Sequence, residues 1–371
     1  MKLPGGTSLR LGAVAAPFFI LLLAAGPAAA EPYLAVRQGL SCSGCHVNPT
    51  GGGLRNAAGN AFAQNELAAR RIDTGETQWL GELNRFIAFG GDFRGSATYT
   101  DFPDGEDEDP AFAVDELRAY VDVRVIPDRL SVYFDQKLAP NGSRNLEAYG
   151  RLWFDESKRY YVKAGQMYLP FGLRLEDDTA FVRQVTGISF DTPDNGVELG
   201  FESGPWNAQL AVSNGTAGSS ENNSGKQWSF RGEHVQSAWR LGASYNFNDT
   251  GDTSRHMAGL HAGLRTGPVA WLAEAAYIED RGLPGGDASR WVGLFEGNWM
   301  PRQGHNLKLT VETFEPDTDV DEDEQDRYSL VYEYAPFQFV QLRAGVRVYD
   351  GVSGIDVQNR RFGFVELHGF F

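Results

Sequence analysis

The sequence has few of the residues that carry chemistry in enzymes or crosslinks in secreted proteins. Among 371 residues there are two cysteines, four methionines and six histidines. Basic residues are also scarce, with 33 lysines and arginines against 49 aspartates and glutamates, a net charge of −16. This acidic balance argues against nucleic acid as a partner. No acid–base or nucleophilic constellation stands out, so the residues indicate no such catalysis.

Long hydrophobic runs are absent after the first thirty residues, which excludes transmembrane helices from the remaining sequence. The run over residues 11–25 follows two basic residues and precedes the small residues Ala28–Ala30. This order predicts a secretory signal peptide, residues 1–30, cleaved after Ala30. Removal of its two basic residues leaves 31 basic against 49 acidic side chains, a net charge of −18 for the mature chain.

A polar composition does not exclude a membrane protein here. Aromatic residues make up 12% of the chain and there are 44 glycines, which argues against disorder. From Asn84 onward, short segments alternate apolar and polar side chains between turn residues, which predicts strands. In Val340–Val348, for example, the apolar residues alternate with Gln341, Arg343 and Arg347. One face suits lipid and the other suits water, as in a transmembrane β-barrel.

Sixteen alternating segments are predicted. They are 85–100, 112–126, 129–138, 144–155, 159–168, 195–203, 206–214, 226–235, 237–248, 254–266, 268–280, 288–300, 305–315, 325–335, 339–349 and 358–371. Connections after even-numbered segments are short and those after odd-numbered segments are mostly longer, as for periplasmic turns and extracellular loops. The prediction is an all-β, 16-stranded barrel over residues 84–371, in the Gram-negative outer membrane, with periplasmic termini. A soluble sandwich would bury the charged face in a dry core, which is costly.

Two local patterns resemble bacterial outer-membrane barrels. The chain ends in Phe371 with Val365 and Leu367 at alternate positions before it, although Gly369 stands where an aromatic residue is usual. Residues Gly165–Gly172 resemble the G-Q-x-x-x-P-F-G element of phosphate-selective and related porins. Both patterns support a barrel and leave its cargo open.

Both cysteines lie in one short motif, since residues 42–46 are Cys-Ser-Gly-Cys-His. Two thiols that reach the two vinyl groups of one porphyrin, followed by an imidazole for the iron, are typical of c-type haem attachment. Cys42, Cys45 and His46 therefore predict one covalent haem c with His46 as the proximal ligand. A disulfide between the cysteines is the alternative in an oxidising compartment, and a zinc site would lack ligands.

The haem is expected inside the barrel, because a haem below the membrane could not exchange electrons across hydrocarbon about 30 Å thick. Residues 31–83 are therefore predicted to form a small plug in or at the neck of the lumen. Within it, a short helix is predicted over Ala61–Arg71, and Gly51–Gly53 are expected to pack closely beside the porphyrin. Inward-facing candidates for the distal iron ligand are His261, which lies mid-strand and is preferred, and Met167, Met257 and His368. Each of these side chains could instead simply line a wet wall.

The combination of one haem motif with a barrel resembles the monohaem outer-membrane cytochrome–porin fusions of iron-oxidising bacteria. The matching residues are Pro32, Arg37–Gly39, Cys42, Cys45, His46, Pro49, Gly59 and Phe62. Gly51–Gly53 departs from that family's pattern. The resemblance implies an outer-membrane electron conduit, with Fe(II) oxidation outside the cell and a periplasmic c-type cytochrome or other carrier as partner. Any activity of iron(II) oxidase type is implied by this resemblance alone.

Two rival functions remain open. In one, the chain is a diffusion porin for small anions or other solutes, the N-terminal segment plugs or gates it, and any haem is structural. In the other, it is a soluble periplasmic cytochrome with an all-β domain. Two predicted outer loops, 104–109 and 317–326, are strongly acidic. They could concentrate Fe²⁺ or another divalent cation, or simply keep the loops solvated and bridged to lipopolysaccharide.

Overall fold

The computed structural model describes residues 31–75, 78–103, 110–221 and 223–371. The predicted signal peptide and the acidic run 104–109 lie outside these ranges. No helix within them is long and apolar enough to cross a membrane.

Antiparallel strands form a closed barrel. The strands are β1 (Glu82–Asn84), β2 (Ile87–Asp101), β3 (Ala111–Ile126), β4 (Leu130–Ala139), β5 (Arg144–Trp153), β6 (Tyr160–Met167), β7 (Asp194–Ser203), β8 (Trp206–Ser213), β9 (Gln227–Val235), β10 (Trp239–Asp249), β11 (Ser254–Thr266), β12 (Val269–Arg281), β13 (Ala288–Trp299), β14 (His305–Glu315), β15 (Gln325–Tyr334), β16 (Val340–Asp350) and β17 (Arg361–Phe370). Strands β2 to β17 pair in sequence order, and β17 pairs with β2 to close the ring. The short β1 adds to the start of β2. The predicted 16-stranded barrel is confirmed, with each segment matching one strand.

The alternation of the sequence separates a charged lumen from an apolar outer surface. On β16, Arg343 is 8% exposed whereas Val346 is 55% exposed. On β3, Arg118 and Asp122 are buried whereas Val125 is exposed. Exposed aromatic side chains lie near both ends of the strands, among them Trp206, Trp239 and Trp299 at one end and Trp228, Trp291 and Tyr328 at the other. Such girdles flank the lipid-facing band of outer-membrane barrels, so the outer surface contacts lipid.

Short turns and long loops occupy opposite rims, which we call the turn rim and the loop rim. At the turn rim, β7 and β8 are joined by residues 204–205, and β11 and β12 by residues 267–268. At the loop rim, residues 168–193 join β6 to β7, and we call them the inward loop. Their helix α3 (Phe181–Thr186) packs against β12, β13 and β14. The length of this loop was predicted, but its entry into the lumen was not.

The N-terminal segment, residues 31–75, which we call the plug, lies in the lumen except for its last part, where Ala69 and Ile72 bond to the turn between β15 and β16. It contains helix α1 (Pro32–Gln38), helix α2 (Ala57–Phe62) and a π turn over Ala63–Leu67. Two separate parts of the plug contact the barrel wall. The Tyr33 hydroxyl donates to Glu333 Oε2 at 2.6 Å, and the backbone amide of Leu54 donates to the Tyr133 hydroxyl at 3.0 Å.

The prediction of a helix over Ala61–Arg71 was wrong in its bounds. The helix begins at Ala57 because the Asn56 side chain accepts a hydrogen bond from Gly59 N at 2.9 Å, which caps the first turn. Helical structure ends at Leu67, where Ala68 becomes extended. Helix α1 was not predicted, although it begins with a proline and ends at Gly39 in the left-handed conformation, a typical pair of helix boundaries.

Candidate functional site

The Cys-x-x-C-H motif forms a compact turn. Residues Cys42–Gly44 make one turn of 3₁₀ helix, and His46 N donates to Cys42 O at 3.0 Å. Asn56 closes the turn from the other side, because its backbone amide donates to Cys45 O at 2.9 Å. The geometry places both thiols and the imidazole within one five-residue unit.

A cavity of about 780 Å³ lies against this turn. Its lining comes from the plug (Glu31, Pro32, Leu34, Ala35, Gln38, Ser41, Cys42, Cys45, His46, Gly51, Gly52, Arg55, Gly59, Phe62, Ala63 and Leu67), the inward loop (Leu173 and Arg174) and the barrel wall (Arg231, Arg240 and Phe370). Three separate parts of the chain therefore enclose one space beside the motif.

The imidazole of His46 is buried and electrically neutral. Burial lowers the pKa of His46 to about 4, and the positive charge of nearby Arg55 lowers it further. The backbone groups of Gly52 and Gly53 act on this pKa in the opposite direction but are weaker. The ring is therefore unprotonated at neutral pH, the form in which histidine binds metals. Its Nδ1 atom is buried without a hydrogen-bond partner among the described residues.

The two cysteines are free thiols. Burial raises the pKa of Cys42 and the pKa of Cys45, so both stay protonated at neutral pH. In the ranges that the structure describes, neither joins a group of three His, Cys, Asp or Glu ligands whose donor atoms lie within 4.8 Å. A zinc site would need such a group, so the geometry does not favour that alternative.

Three consecutive glycines carry the chain past the site. Gly51, Gly52 and Gly53 all have positive φ angles, of 91°, 76° and 61°. A Cβ at Gly51 would lie 3.2 Å from Cys42 Sγ, and one at Gly52 would overlap the ring of Phe190. The chain therefore packs closely at these glycines, with the motif on one side and the inward loop on the other, and packing beside a porphyrin stays a prediction.

Residues 47–54 are fastened to strands β4 and β5 by hydrogen bonds. Arg151 donates to the carbonyl oxygen of Val47. Asn48 Nδ2 donates to Glu147 Oε2 at 2.9 Å, with both residues buried. Together with the bond between Leu54 and Tyr133, these contacts hold the motif to the inner face of the barrel.

The structure does not bring the predicted distal ligands to the cavity. The four candidates, His261, Met167, Met257 and His368, are inward-facing and buried, and none of them lines it. His261 Nε2 lies 3.5 Å from Glu233 Oε1 in the barrel wall. His368 Nε2 lies 2.7 Å from Asp92 Oδ1. The methionines belong to apolar clusters, Met167 to one that includes Leu54 and Met257 to one that includes Phe171 and Ile278.

Four arginines line the cavity and were not singled out from the sequence. They are Arg55, Arg174, Arg231 and Arg240. The last two lie on strands whose alternation places them inward, so periodicity could have found them. Arg55 and Arg174 lie in irregular segments, where the sequence has no periodic pattern from which the direction of a side chain could be predicted.

Two neighbouring cavities continue the space on either side. One, of about 500 Å³, shares His46, Gly52 and Arg55 and extends to Arg94, Arg118, Asp178 and Asp191. The other, of about 560 Å³, shares Leu34, Gln38, Phe62 and Leu67 and extends to Gln303 and Asn306 near the turn rim. The residues around the motif therefore line more than one cavity in the lumen.

The second predicted acidic loop is at the loop rim. There, carboxylate oxygens of Glu315, Asp323 and Glu324 lie within 4.8 Å of one another. Exposed acidic groups commonly lie this close, so the cluster by itself does not distinguish cation capture from solvation.

Comparisons with solved structures find outer-membrane barrels. The chain is similar to a loop L8 deletion mutant of OmpT, an outer membrane protein of Vibrio cholerae, with 12% identity and a TM-score of 0.60 over 77% of this chain and 99% of that one. An anion-selective porin from Comamonas acidovorans matches with 10% identity and a TM-score of 0.58, over 77% and 99%. OprB of Pseudomonas putida matches with 8% identity and a TM-score of 0.56, over 78% and 95%.

No protein-family model and no curated protein matches the sequence. Structural similarity at these identities shows the fold, a barrel like those of Gram-negative outer-membrane proteins.

Proposed function

We propose that this chain is an outer-membrane barrel that binds one covalent haem c in its lumen and transfers single electrons between the periplasm and a partner outside the cell. One observation carries the proposal: Cys42, Cys45 and His46 all line one cavity inside the barrel. The structural neighbours support the barrel. The motif and its cavity support the cofactor.

The residues of the cavity fit the proposed group in three respects. Cys42 and Cys45 supply the thiols for two thioether links, and His46 supplies a neutral imidazole whose Nδ1 has no partner among the described residues. The cavity is lined by apolar side chains, among them Leu34, Phe62 and Leu173, as cofactor sites usually are. When bound, the haem iron supplies a one-electron couple whose potential depends on axial ligation, hydrogen bonds and burial.

The proposed orientation places the turn rim in the periplasm and the loop rim outside, as in other outer-membrane barrels. The cavity near Gln303 and Asn306 would then face a periplasmic cytochrome or another carrier. The cavity that extends to Asp178 and Asp191 would face the outer partner. Fe(II) is the proposed donor on that side, on the basis of the family resemblance.

The test uses the full chain extracted from outer membranes. A haem-stained gel should show a covalently coloured band, and a Cys42→Ser, Cys45→Ser double variant should lose it while keeping the barrel's heat-modifiable migration. Fe²⁺ added outside proteoliposomes should then reduce the haem, and the optical spectrum should record that reduction. A colourless parent protein with an oxidised Cys42–Cys45 pair would contradict the proposal.

The second candidate is a diffusion porin, and the likeness to porins favours it. In that case the plug would act as a structural or gating element, and planar bilayers would show steady ion conductance. Conductance without haem staining would establish this second function in place of the first.

A further inference from the structure

The four cavity arginines differ in their charge partners. Arg231 Nη2 lies 3.2 Å from Glu233 Oε1, and Arg240 Nη1 lies 3.4 Å from the same oxygen. These two cations share one buried carboxylate. They are therefore already part of an ion pair within the protein wall.

Arg55 and Arg174 have no carboxylate oxygen within 4 Å among the residues that the structure describes. The Arg174 guanidinium donates to Leu169 O at 2.8 Å and lies 5.4 Å from the Tyr168 ring. Arg55 is 4% exposed, and its guanidinium lies 3.7 Å from the centre of the Phe370 ring. Burial lowers the pKa of both groups. Acidic groups, Asp92 for Arg55 and Glu147 for Arg174, act on these cations from beyond 4 Å. A buried cation without a carboxylate in direct contact is costly, and an anion bound against it would lower that cost.

Arg174 is held in place by the element that resembles a porin motif. Gly172 N donates to Ser244 Oγ at 2.9 Å, and Leu173 N donates to Glu274 Oε2 at 2.8 Å. The two hydrogen bonds fasten the inward loop to strands β10 and β12 immediately before Arg174. The side chain therefore reaches the cavity from a fixed backbone.

We propose that Arg55 and Arg174 bind carboxylate groups of the cofactor, namely the two propionates of a haem in this cavity. The inference rests on the proposed function, because it requires a haem there. Guanidinium groups suit this task because their N–H donors match a carboxylate in a planar, two-point contact.

The test compares the midpoint potential of the haem in the holoprotein with that in Arg174→Gln and Arg55→Gln. Oxidised haem iron carries one more positive charge than reduced iron, so loss of a nearby cation favours the oxidised form. Each variant should therefore lower the equilibrium constant for reduction about tenfold, which lowers the midpoint potential by about 59 mV for one electron. A propionate left without its cation should also take up a proton near neutral pH. The potential should then become pH-dependent between about pH 5 and 8 in the variants and not in the parent.

The matched control is Arg183→Gln. Arg183 belongs to the same inward loop and is buried, but its guanidinium donates to the Leu175 and Glu176 carbonyl oxygens at 2.9 Å and does not line the cavity. Its replacement should change the equilibrium constant less than threefold. Arg174→Lys keeps the charge and should retain most of the parent potential.

Two results would overturn the inference. One is that both glutamine variants, with haem bound, have the midpoint potential and pH profile of the parent protein. The other is that their midpoint potentials shift no more than that of Arg183→Gln. If a glutamine variant folds but does not retain haem, the lysine variant should restore the stained band, and failure to do so also counts against the inference. A parent protein without haem would instead refute the proposed function, so the two failures are distinguishable.

Discussion

His46 and His261 lie in the same lumen but in different surroundings. His46 belongs to the plug and lines the cavity. His261 belongs to the wall, and its Nε2 lies 3.5 Å from Glu233 Oε1. Of the two imidazoles, that of His46 lines the cavity and that of His261 does not.

The first prediction concerns His261. Because this side chain does not line the cavity, His261→Ala should leave the Soret maximum and the midpoint potential of the proposed haem unchanged. Optical spectroscopy and potentiometry of the membrane-extracted protein measure both quantities. His46→Ala is the comparison, and it should change both because it removes the proximal imidazole. Loss of a low-spin spectrum in His261→Ala would show that His261 is an axial ligand after all.

At the scale of elements, the glycine run decides how closely the plug approaches the inward loop. Gly52 and Gly75 have nearly the same φ, 76° and 74°. A Cβ at Gly52 would overlap Phe190, whereas a Cβ at Gly75 would meet no atom within 4 Å. Alanine substitutions at the two positions therefore distinguish two contributions to the loss of stability: the left-handed backbone, which both share, and the steric overlap, which only Gly52 has.

Alanine at either position should cost roughly 1 to 2 kcal/mol for the left-handed backbone. Gly52→Ala should lose roughly 1 to 3 kcal/mol more, because the added methyl group overpacks the contact with Phe190. Limited proteolysis of the plug should therefore be fastest in Gly52→Ala. Equal cleavage rates in the two variants would show that the contact with Phe190 does not hold the plug.

The inward loop is anchored by Asp177. Its carboxylate accepts hydrogen bonds from Arg327 Nη2 and Arg347 Nη2, each at 2.9 Å, and from the Thr179 hydroxyl at 2.6 Å. Burial alone would raise the pKa of Asp177, but the two guanidinium groups hold it well below its usual range. The ionised carboxylate therefore fastens the loop to β15 and β16.

Asp177→Asn should loosen the inward loop by about 2 kcal/mol, since hydrogen bonds to charged groups contribute about that much. A carboxyl with a lowered pKa stabilises the fold above the unfolded value of about 3.9, and this contribution is lost as the pH falls toward the folded pKa. In the parent protein, the backbone amides of residues 168–193 should thus be protected from hydrogen exchange at pH 5, and this protection should decline below about pH 4. Equal protection in the asparagine variant at pH 7 would exclude Asp177 as the anchor.

At the scale of the whole molecule, the lumen is a composite of three parts. The barrel supplies a ring of charged side chains, and the plug and the inward loop occupy the space within it. The plug is tied across that space, since Glu31 Oε1 pairs with Lys308 and Arg343 at 2.8 and 2.7 Å, far in sequence from the contact between Leu54 and Tyr133. The spaces that remain are cavities beside the motif.

A lumen of this kind should conduct ions poorly. In planar bilayers the full chain should show conductance at least tenfold below that of a variant without residues 32–75, because a 16-stranded barrel on its own leaves an aqueous channel. Heat-modifiable migration would verify that the shortened barrel has folded. Equal and steady conductance of both proteins would favour the diffusion porin.

Much of the fold could be predicted because its cause is local. Each strand must place apolar side chains toward lipid and polar ones toward water, so the pattern repeats every two residues and appears in segments as short as Trp206–Ser213. The bounds of the plug helix were less predictable, because the cap at Asn56 depends on one side-chain hydrogen bond. The Cys-x-x-C-H turn was recognisable because its five residues are adjacent.

The amino-acid sequence by itself determined the barrel and the chemistry of the motif, since both arise from residues close together in the chain. Only the tertiary structure decided what faces the motif. Arg240 donates to the carbonyl oxygen of Leu40 across 200 positions, and Arg174 reaches the same cavity from the inward loop. Such neighbours depend on the closure of β17 against β2, and on how the plug and the loop pack inside that ring, which no local pattern specifies.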